Sequence, residues 1–172
     1  MTFRLRTPIA TWAITTFAVP PLAPSPGDPL VADPGNALVL TDLSEKLLKY
    51  DSNNDDFSGS SPTVNDRAAV EYQLFDAGGG LIGQTRGVGQ MLYKRAEDGH
   101  HIAYFSEEIT LADGNVIRTG GLVDDARLTT GEQATITAVG VAGPFCGAIG
   151  FRQFRPVVAH ELYESSIVLY RR

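Results

Sequence analysis

The sequence predicts an all-β protein, an eight-stranded antiparallel up-and-down barrel that follows an N-terminal arm or lid. Three observations support this fold class. Stretches such as Ala103–Leu111 alternate apolar and polar residues with the period of a strand. Turn signals rich in Asp and Gly recur at hairpin spacing, and no convincing helical pattern lies between them. Because consecutive hairpins leave sheet edges exposed unless the sheet closes, we expect a barrel, and about eight strands leave room for one small ligand.

Residues 1–35 form the predicted arm and its linker. Arg4 and Arg6 precede an apolar stretch, Ile9–Val19, which could belong to a secretory signal, but prolines crowd the cleavage region. The stretch is also too short to span a bilayer. We interpret it as an arm that lays Trp12 and Phe17 over an apolar surface, joined to the body by a Pro-rich linker. We expect the protein to be cytoplasmic.

Residues 36–172 form the predicted barrel. Ala37–Asp51 is ambiguous, because its β-branched start favours a strand and its SEKLLK segment favours a helix. A polar loop follows; it begins like a calcium loop but lacks the required Gly and bidentate Glu. The remaining predicted strands are Arg67–Asp76, Leu81–Arg95, His100–Leu111, Asn115–Val123, Glu132–Val141, Pro144–Arg155 and Val157–Tyr170.

Composition removes several function classes. The net charge is −6 and no basic run exists, so nucleic acid is not an expected partner. Cys146 is the single cysteine, which excludes a disulfide within the chain and a multi-thiolate metal site; we expect it to be buried and inert in a strand. His100 and His101 are neighbours on a predicted strand and point to opposite faces, so they cannot chelate one metal ion together. We therefore expect no metal, no cofactor and no membrane partner.

Familiar catalytic motifs are absent or lack their structural context. Gly78–Thr85 satisfies G-x-G-x-x-G, but it leads into a strand and not into a helix whose N-terminus would hold a phosphate. We interpret it as a hairpin turn. No nucleophile elbow or Cys–His arrangement is present.

Two charged residues stand on faces that should be apolar. Alternation places Glu107 beside Phe105 and Ile109 on one strand, and Arg152 beside Gly150 and Phe154 on another. Few polar groups among small and aromatic residues are typical of a ligand cavity. Glu107 either is neutralised by an internal arginine, most simply Arg152, or polarises a substrate.

Three segments carry a resemblance to a known family. Phe75–Gly83, Tyr104–Gly114 and Gly140–Phe154 resemble the spirotetronate and spirotetramate cyclases, small β-barrel Diels–Alderases of bacterial polyketide pathways, and more distantly the allene oxide cyclase and dirigent barrels. The resemblance covers Arg67 to the C-terminus. It implies an apolar lumen that folds a linear polyene so that a diene meets an alkene, often an exocyclic methylene on a tetronate or tetramate ring.

The resemblance also implies roles for individual residues. The family's mouth-lining arginine and aromatic residue fall on Arg152 and Phe154. A family tyrosine that hydrogen-bonds ring carbonyls falls on Phe105, so either Tyr93 or Tyr104 supplies the hydroxyl or the dienophile differs. A hetero-Diels–Alder reaction therefore stays open.

We thus expect a cofactor-independent cyclase that catalyses an intramolecular [4+2] cycloaddition of a hydrophobic polyene polyketide. A homodimer is expected as well. The expected polar contacts are Tyr93, Glu107 and Arg152. The expected substrate-binding residues are Val70, Tyr72, Leu74, Met91, Phe105, Ile136 and Phe154, with Trp12 and Phe17 from the arm. Two alternatives are a non-catalytic carrier of a hydrophobic ligand and an allene oxide cyclase-like or dirigent-like enzyme.

Overall fold

A closed barrel of eight antiparallel strands makes up the computed structural model, which describes residues 34–54 and 62–171. Each strand pairs with its neighbours along the chain, and β1 also pairs with β8, which closes the barrel. This confirms the predicted fold class. Trp12 and Phe17 lie outside the described residues. The strands are β1 (Ala37–Ser52), β2 (Arg67–Phe75), β3 (Leu81–Lys94), β4 (His101–Leu111), β5 (Val116–Asp124), β6 (Ala134–Ala142), β7 (Ile149–Val158) and β8 (Leu162–Tyr170), with a 3-10 turn at Pro34–Asn36 before β1.

The ambiguous first segment is a strand throughout. The SEKLLK segment lies within β1, where pairing with β2 on one side and β8 on the other overrides its helical preference. The register of β1 shifts twice, between Leu40 and Leu43 and between Leu47 and Lys49. Asp42, inside the first irregularity, has a φ of 54°. Such bulges bend a strand and re-aim its side chains, and here they leave Glu45 pointing into the barrel.

The hairpin between β2 and β3 confirms the interpretation of the glycine run as a turn. Asp76 Oδ1 accepts the backbone N–H groups of Gly78 and Gly80 at 2.9 and 2.8 Å. Gly79 has a φ of 81°, a conformation that favours glycine. The glycine run therefore forms the turn that reverses the chain direction between β2 and β3.

The prediction for Cys146 is wrong, because the residue is exposed in a turn between β6 and β7. Gly143 and Gly147 have φ values of 79° and 82° and flank this turn. A Cβ at Gly140 would lie 2.0 Å from the carbonyl oxygen of Phe145, so the chain folds back tightly there. The alternating pattern therefore predicted a strand from Pro144, whereas β7 begins at Ile149, after the turn.

A short helix, α1 (Asp125–Thr129), follows β5 and was not predicted. The Asp124 side chain accepts the backbone N–H of Arg127 and caps the helix. Five residues are too few to produce a helical period in the sequence. Among the described residues, no helix is long and apolar enough to cross a membrane.

The interior of the barrel has two halves that differ in how tightly their side chains are packed. The closed half, which contains the starts of β1 and β7 and the ends of β2, β4 and β8, is packed with aliphatic side chains. The open half, at the opposite end, contains the cavity described below. The closed half consists of Leu43, Leu74, Ile109, Leu111, Ile117, Ala138, Ala148, Ile167 and Leu169.

Candidate active site

The open half contains a cavity of about 50 Å³, and about 690 Å³ of space when the open region at its mouth is included. Strands β1 to β4, β7 and β8 contribute to its lining together with helix α1. The lining is mostly apolar with a few polar groups, as in small-molecule sites. Gly89 on β3 leaves space opposite the ring of Phe105, because a Cβ there would already approach the ring at 3.4 Å. The lining residues include Tyr50, Ala68, Val70, Tyr72, Gly89, Phe105, Leu128, Phe154, Pro156 and Tyr163, together with Glu45, Glu107, Arg152, Asp125 and His160.

A buried ion triad forms the floor of this cavity. Arg152 donates through Nη1 to Glu107 Oε2 and through Nη2 to Glu45 Oε1, the latter at 2.6 Å. Thr119 donates to the same oxygen of Glu107 at 2.7 Å, and Ser165 donates to Glu45 Oε1 at 2.5 Å. All three charged side chains are almost fully buried. The floor triad, Glu45, Arg152 and Glu107, therefore ties together β1, β7 and β4.

The electrostatics of the floor triad favour an ionised arginine. Burial alone would lower the pKa of Arg152, but the charges of Glu107 and Glu45 outweigh it, so the pKa lies above its ordinary value. The guanidinium carbon also lies 4.5 Å from the centre of the Phe154 ring. Within the described part of the chain, Arg152 Nε is buried and has no hydrogen-bond partner.

An aromatic wall stands above the floor. The rings of Phe105 and Phe154 are 5.9 Å apart, and those of Phe154 and Tyr163 are 6.3 Å apart. Tyr163 meets Tyr72 edge to face, with ring centres 5.6 Å apart and an angle of 81° between the planes. Burial raises the pKa of both tyrosines, so they stay protonated at neutral pH.

Helix α1 and the turn between β7 and β8 border the mouth. Asp125 on the helix and His160 on the turn both line the cavity. His160 has a φ of 62°, so the turn is tight at this point. Burial raises the pKa of the Asp125 carboxyl, and the positive charges of His160 and His101 offset this only in part.

Six of the predicted site residues line the cavity together: Val70, Tyr72, Phe105, Glu107, Arg152 and Phe154. Leu74, Met91 and Ile136 are buried but lie away from the cavity lining. Leu74 belongs to the closed half, and Ile136 packs behind Phe154. The functional roles assigned to all these residues stay predictions.

Tyr93 is placed wrongly by the sequence argument. The register between β3 and β4 shifts between Met91 and Tyr93, and Tyr93 is 46% exposed on the outside of the barrel. Tyr104, the other tyrosine considered, is 45% exposed and pairs with Leu122 on the outer face. Neither can supply a hydroxyl to the cavity.

Sequence reasoning missed Glu45, Tyr163, Asp125 and His160. A period-2 pattern across Leu43, Glu45 and Leu47 could have indicated Glu45, but the helical character of the segment concealed it. Tyr163 starts an inward series with Ser165 and Ile167 that was readable in the sequence.

A second polar cluster lies outside the cavity. Side-chain ligand atoms of Asp98, His100 and Asp124 lie within 4.8 Å of one another. Arg95 donates to both carboxylates, and His100 Nδ1 lies 3.0 Å from Asp124. These contacts join the β3–β4 hairpin to the cap of α1, so the cluster has a structural explanation.

The match to known proteins agrees with this geometry. A family model described as the allene oxide cyclase barrel like domain matches residues 46–169. The chain belongs to this family. The match contains strands β2 to β7 completely, all of β8 except Tyr170, and the second part of β1 from residue 46. A comparison with curated protein sequences gives no match.

Solved structures of this barrel type include several cyclases. AbnU, an exo-specific intermolecular Diels–Alderase, is 26% identical over 78% of this chain and 97% of its own, with a TM-score of 0.71. A nonspecific heme-binding cyclase that catalyses [4 + 2] cycloaddition in neoabyssomicin biosynthesis is 28% identical over 79% of this chain, with a TM-score of 0.71. The Diels–Alderase AbmU from Streptomyces koyangensis is 28% identical over 83% of this chain, with a TM-score of 0.69.

The chain spans 64% and 66% of the latter two proteins, less than two thirds of their length. A pyocyanin demethylase and the pterocarpan synthase dirigent protein GePTS1 are 16% and 10% identical, with TM-scores of 0.58 and 0.60, and show the fold alone. These similarities confirm the resemblance that the sequence segments indicated.

Proposed function

We propose that this member of the allene oxide cyclase barrel like family is a cyclase that catalyses a [4+2] cycloaddition of a linear polyene polyketide. The proposed reaction is intramolecular, with a dienophile on a tetronate or tetramate ring. The observation that carries the proposal is the aromatic cavity, closed below by the aliphatic half of the barrel and open at one end. The similar solved Diels–Alderases support the same reaction class.

The physics of the reaction suits this cavity. In a cycloaddition three π bonds become two new σ bonds and one π bond, with no leaving group and no transferred proton. Its main obstacle is bringing the two ends of a flexible chain together. Holding the reacting ends in place can supply up to about 7–11 kcal/mol. The rings of Tyr72, Phe105 and Phe154 offer rigid apolar walls for this purpose.

The N-terminal arm completes the proposal as a lid over the mouth. Its residues 1–33 lie outside the described residues, so the lid is a proposal that the sequence alone supports, through the apolar stretch with Trp12 and Phe17 and the Pro-rich linker that follows it. Deleting Met1–Pro26 should therefore increase substrate dissociation, measured by stopped flow, while the unfolding midpoint stays the same; unchanged dissociation would make the arm a tail.

The decisive experiment is turnover of a linear polyene that carries a 5-methylidene tetronate or tetramate ring, analysed by chiral chromatography with and without protein. A parallel reaction offers the diene and the methylidene ring as separate molecules. Acceleration of the tethered substrate to one stereoisomer supports the proposal, and acceleration of only the separate pair would make the reaction intermolecular. Binding without acceleration would identify a carrier.

Cofactor-independence belongs to the same proposal. The assay is run on protein whose metal content and haem absorbance have been measured, and again after chelation and haem removal. Full activity of the stripped protein is expected, because no step of the cycloaddition requires redox chemistry. A cytoplasmic location and a homodimer stay predictions.

A further inference from the structure

The floor of the cavity has hydrogen-bond acceptors that the protein itself does not use. Glu107 Oε2 accepts from Arg152 and Thr119, and Glu45 Oε1 accepts from Arg152 and Ser165. The second oxygen of each carboxylate receives no hydrogen bond from any residue in the described ranges, and neither is fully enclosed. Both glutamates line the cavity. Because a carboxylate oxygen only accepts, Glu107 Oε1 and Glu45 Oε2 call for a donor group.

The charge of the floor favours a positively charged donor. Arg152 directs its two terminal nitrogens to the glutamates and is only 2% exposed, so its charge is committed within the triad. With all three charged groups ionised, the floor triad has a formal charge of −1. His160, the other basic residue in the described lining, belongs to the turn at the mouth. The floor therefore attracts a cation and repels an anion.

The aromatic wall suits a positive charge as well. The face of an aromatic ring attracts a cation that lies within about 6 Å of its centre. Arg152 already uses the Phe154 ring in this way, at 4.5 Å from its centre. No arginine or lysine in the described part of the chain is stacked on Phe105, Tyr72 or Tyr163. Because these three rings also line the cavity, they remain for a bound cation.

The side chains of the wall already respond to the negative charge of the floor. Burial is the largest cause of the raised pKa of Tyr72 and of Tyr163, and the charge of Glu107 raises both values further. At Tyr72 the charge of Glu45 adds to the rise, and the opposing effect of Arg152 is smaller. A ligand held between the floor and the wall is exposed to the same negative potential.

We propose that the floor of the cavity binds the protonated amine of an apolar ligand, with an N–H group donating to Glu107 Oε1 and the aromatic wall beside the charge. The ligand class is a primary or secondary ammonium on an apolar chain. This inference goes beyond the proposed cycloaddition and does not depend on it. In a substrate of that reaction the amine end lies at the floor, and the ring with its electron-rich oxygens lies toward the mouth.

The test measures the affinity of four probes that share an eight-carbon chain: octylammonium, octyltrimethylammonium, 1-octanol and octanoate. Titration calorimetry of the full chain at pH 7 gives the affinity and the stoichiometry of each probe. One octylammonium should bind per chain, about tenfold more tightly than 1-octanol, whose head group is a neutral donor. Octyltrimethylammonium has the charge without an N–H group and should lie between these two. Octanoate should bind most weakly.

Three substitutions locate the site. Glu107→Gln removes the charge but keeps an amide oxygen, and should reduce the preference for octylammonium over 1-octanol to about twofold. Glu108→Gln is the matched control, because Glu108 is the next residue of β4 and pairs with Arg118 on the outer surface. It should leave the preference unchanged. Phe105→Leu keeps the floor triad and should reduce the preference about threefold through the lost ring.

Each outcome supports or overturns the ammonium site. Octanoate or 1-octanol binding as tightly as octylammonium overturns it, and so does a preference that persists in Glu107→Gln. Equal losses in Glu107→Gln and Glu108→Gln would mean that the acidic surface attracts the cation, which also overturns it. If Glu107→Gln does not fold, an unchanged preference in Phe105→Leu is decisive against the site. Turnover of the tethered polyene is measured separately, so its failure affects only the proposed cycloaddition.

Discussion

The closed and open halves of the barrel are built from the same eight strands but are filled differently. In the closed half the inward positions hold Leu and Ile, which interlock and exclude solvent. In the open half the strands instead place the aromatic wall, a glycine and three charged side chains inward, and a cavity remains. The closed half can therefore supply most of the stability while the open half stays under-filled. Substitutions that affect the two halves differently test this division.

The largest effect is expected at the floor triad. Arg152→Met should lower the free energy of unfolding by about 3–5 kcal/mol, because it leaves the buried carboxylates of Glu45 and Glu107 without their counter-ion. Urea unfolding followed by circular dichroism measures the loss. Arg155→Met is the control on the same strand, since Arg155 pairs with Glu164 on the exposed surface and should cost at most about 1 kcal/mol. Similar losses in the two variants would show that burial of the triad has no special energetic importance.

The second prediction compares the turnover of one variant in the open half with that of one variant in the closed half. Phe154→Ala should slow cyclisation by the folded protein about 30-fold, ~2 kcal/mol of barrier, because a wider cavity holds the reactive conformer less well. It should also cost about 3–5 kcal/mol of stability, because Phe154 is buried against Ile136. Leu74→Ala in the closed half should cost about 2–5 kcal/mol of stability but leave the turnover of the folded protein unchanged. Turnover and urea unfolding are measured for both. Unchanged turnover in Phe154→Ala would remove this residue from the site.

Filling the open half should weaken binding without changing its chemistry. Gly89→Val adds volume toward the ring of Phe105, where a Cβ meets only an ordinary van der Waals contact. We expect substrate affinity to fall about tenfold, ~1.4 kcal/mol, by titration calorimetry, with no loss of stability. Gln90→Val is the control on the neighbouring position of β3, which lies outside the cavity lining. Equal effects of the two substitutions would mean that β-propensity, and not cavity volume, is responsible.

Local patterns predicted much of this architecture, and their limits are physical. Alternation identified the inward faces of β4 and β7, and hence Glu107 and Arg152, because the two-residue period is a property of the strand itself. It misplaced Tyr93, because a register shift turns that residue outward.

The position of an inward residue along the barrel axis cannot be deduced from the local sequence either. Alternation places Leu74 and Tyr72 on the same inward face, yet one belongs to the closed half and the other lines the cavity. Glu45 was missed for a related reason, since pairing with β2 and β8 decides that its segment is a strand. Which inward residues meet depends on strand registers that only the closed barrel fixes.

The smallest expected effect concerns the carboxylate at the mouth. Burial raises the pKa of Asp125, so the folded protein holds this proton to higher pH than the unfolded chain does. Stability from the protonated form is therefore complete below the ordinary aspartate value near 3.8 and is lost as pH rises through the higher folded value. Asp125→Asn should make the protein slightly more stable than wild type at pH 7, with the advantage disappearing below pH 3.8 in urea unfolding measured across this range.

The control for this titration is Asp98→Asn in the outer cluster, where the sign is opposite. The hydrogen bond from Arg95 lowers the pKa of Asp98, so its ionised form stabilises the fold above the ordinary value and this contribution is lost as pH falls. Asp98→Asn should thus be less stable than wild type at pH 7 and approach it in acid. The stability of the two variants relative to wild type would then change with pH in opposite directions. Burial at the mouth disfavours the ionised form of Asp125, whereas Arg95 stabilises the ionised form of Asp98. Parallel trends in the two variants would mean that the mouth is solvated well enough to accommodate a charge, which would weaken the argument that substrate is shielded from water there.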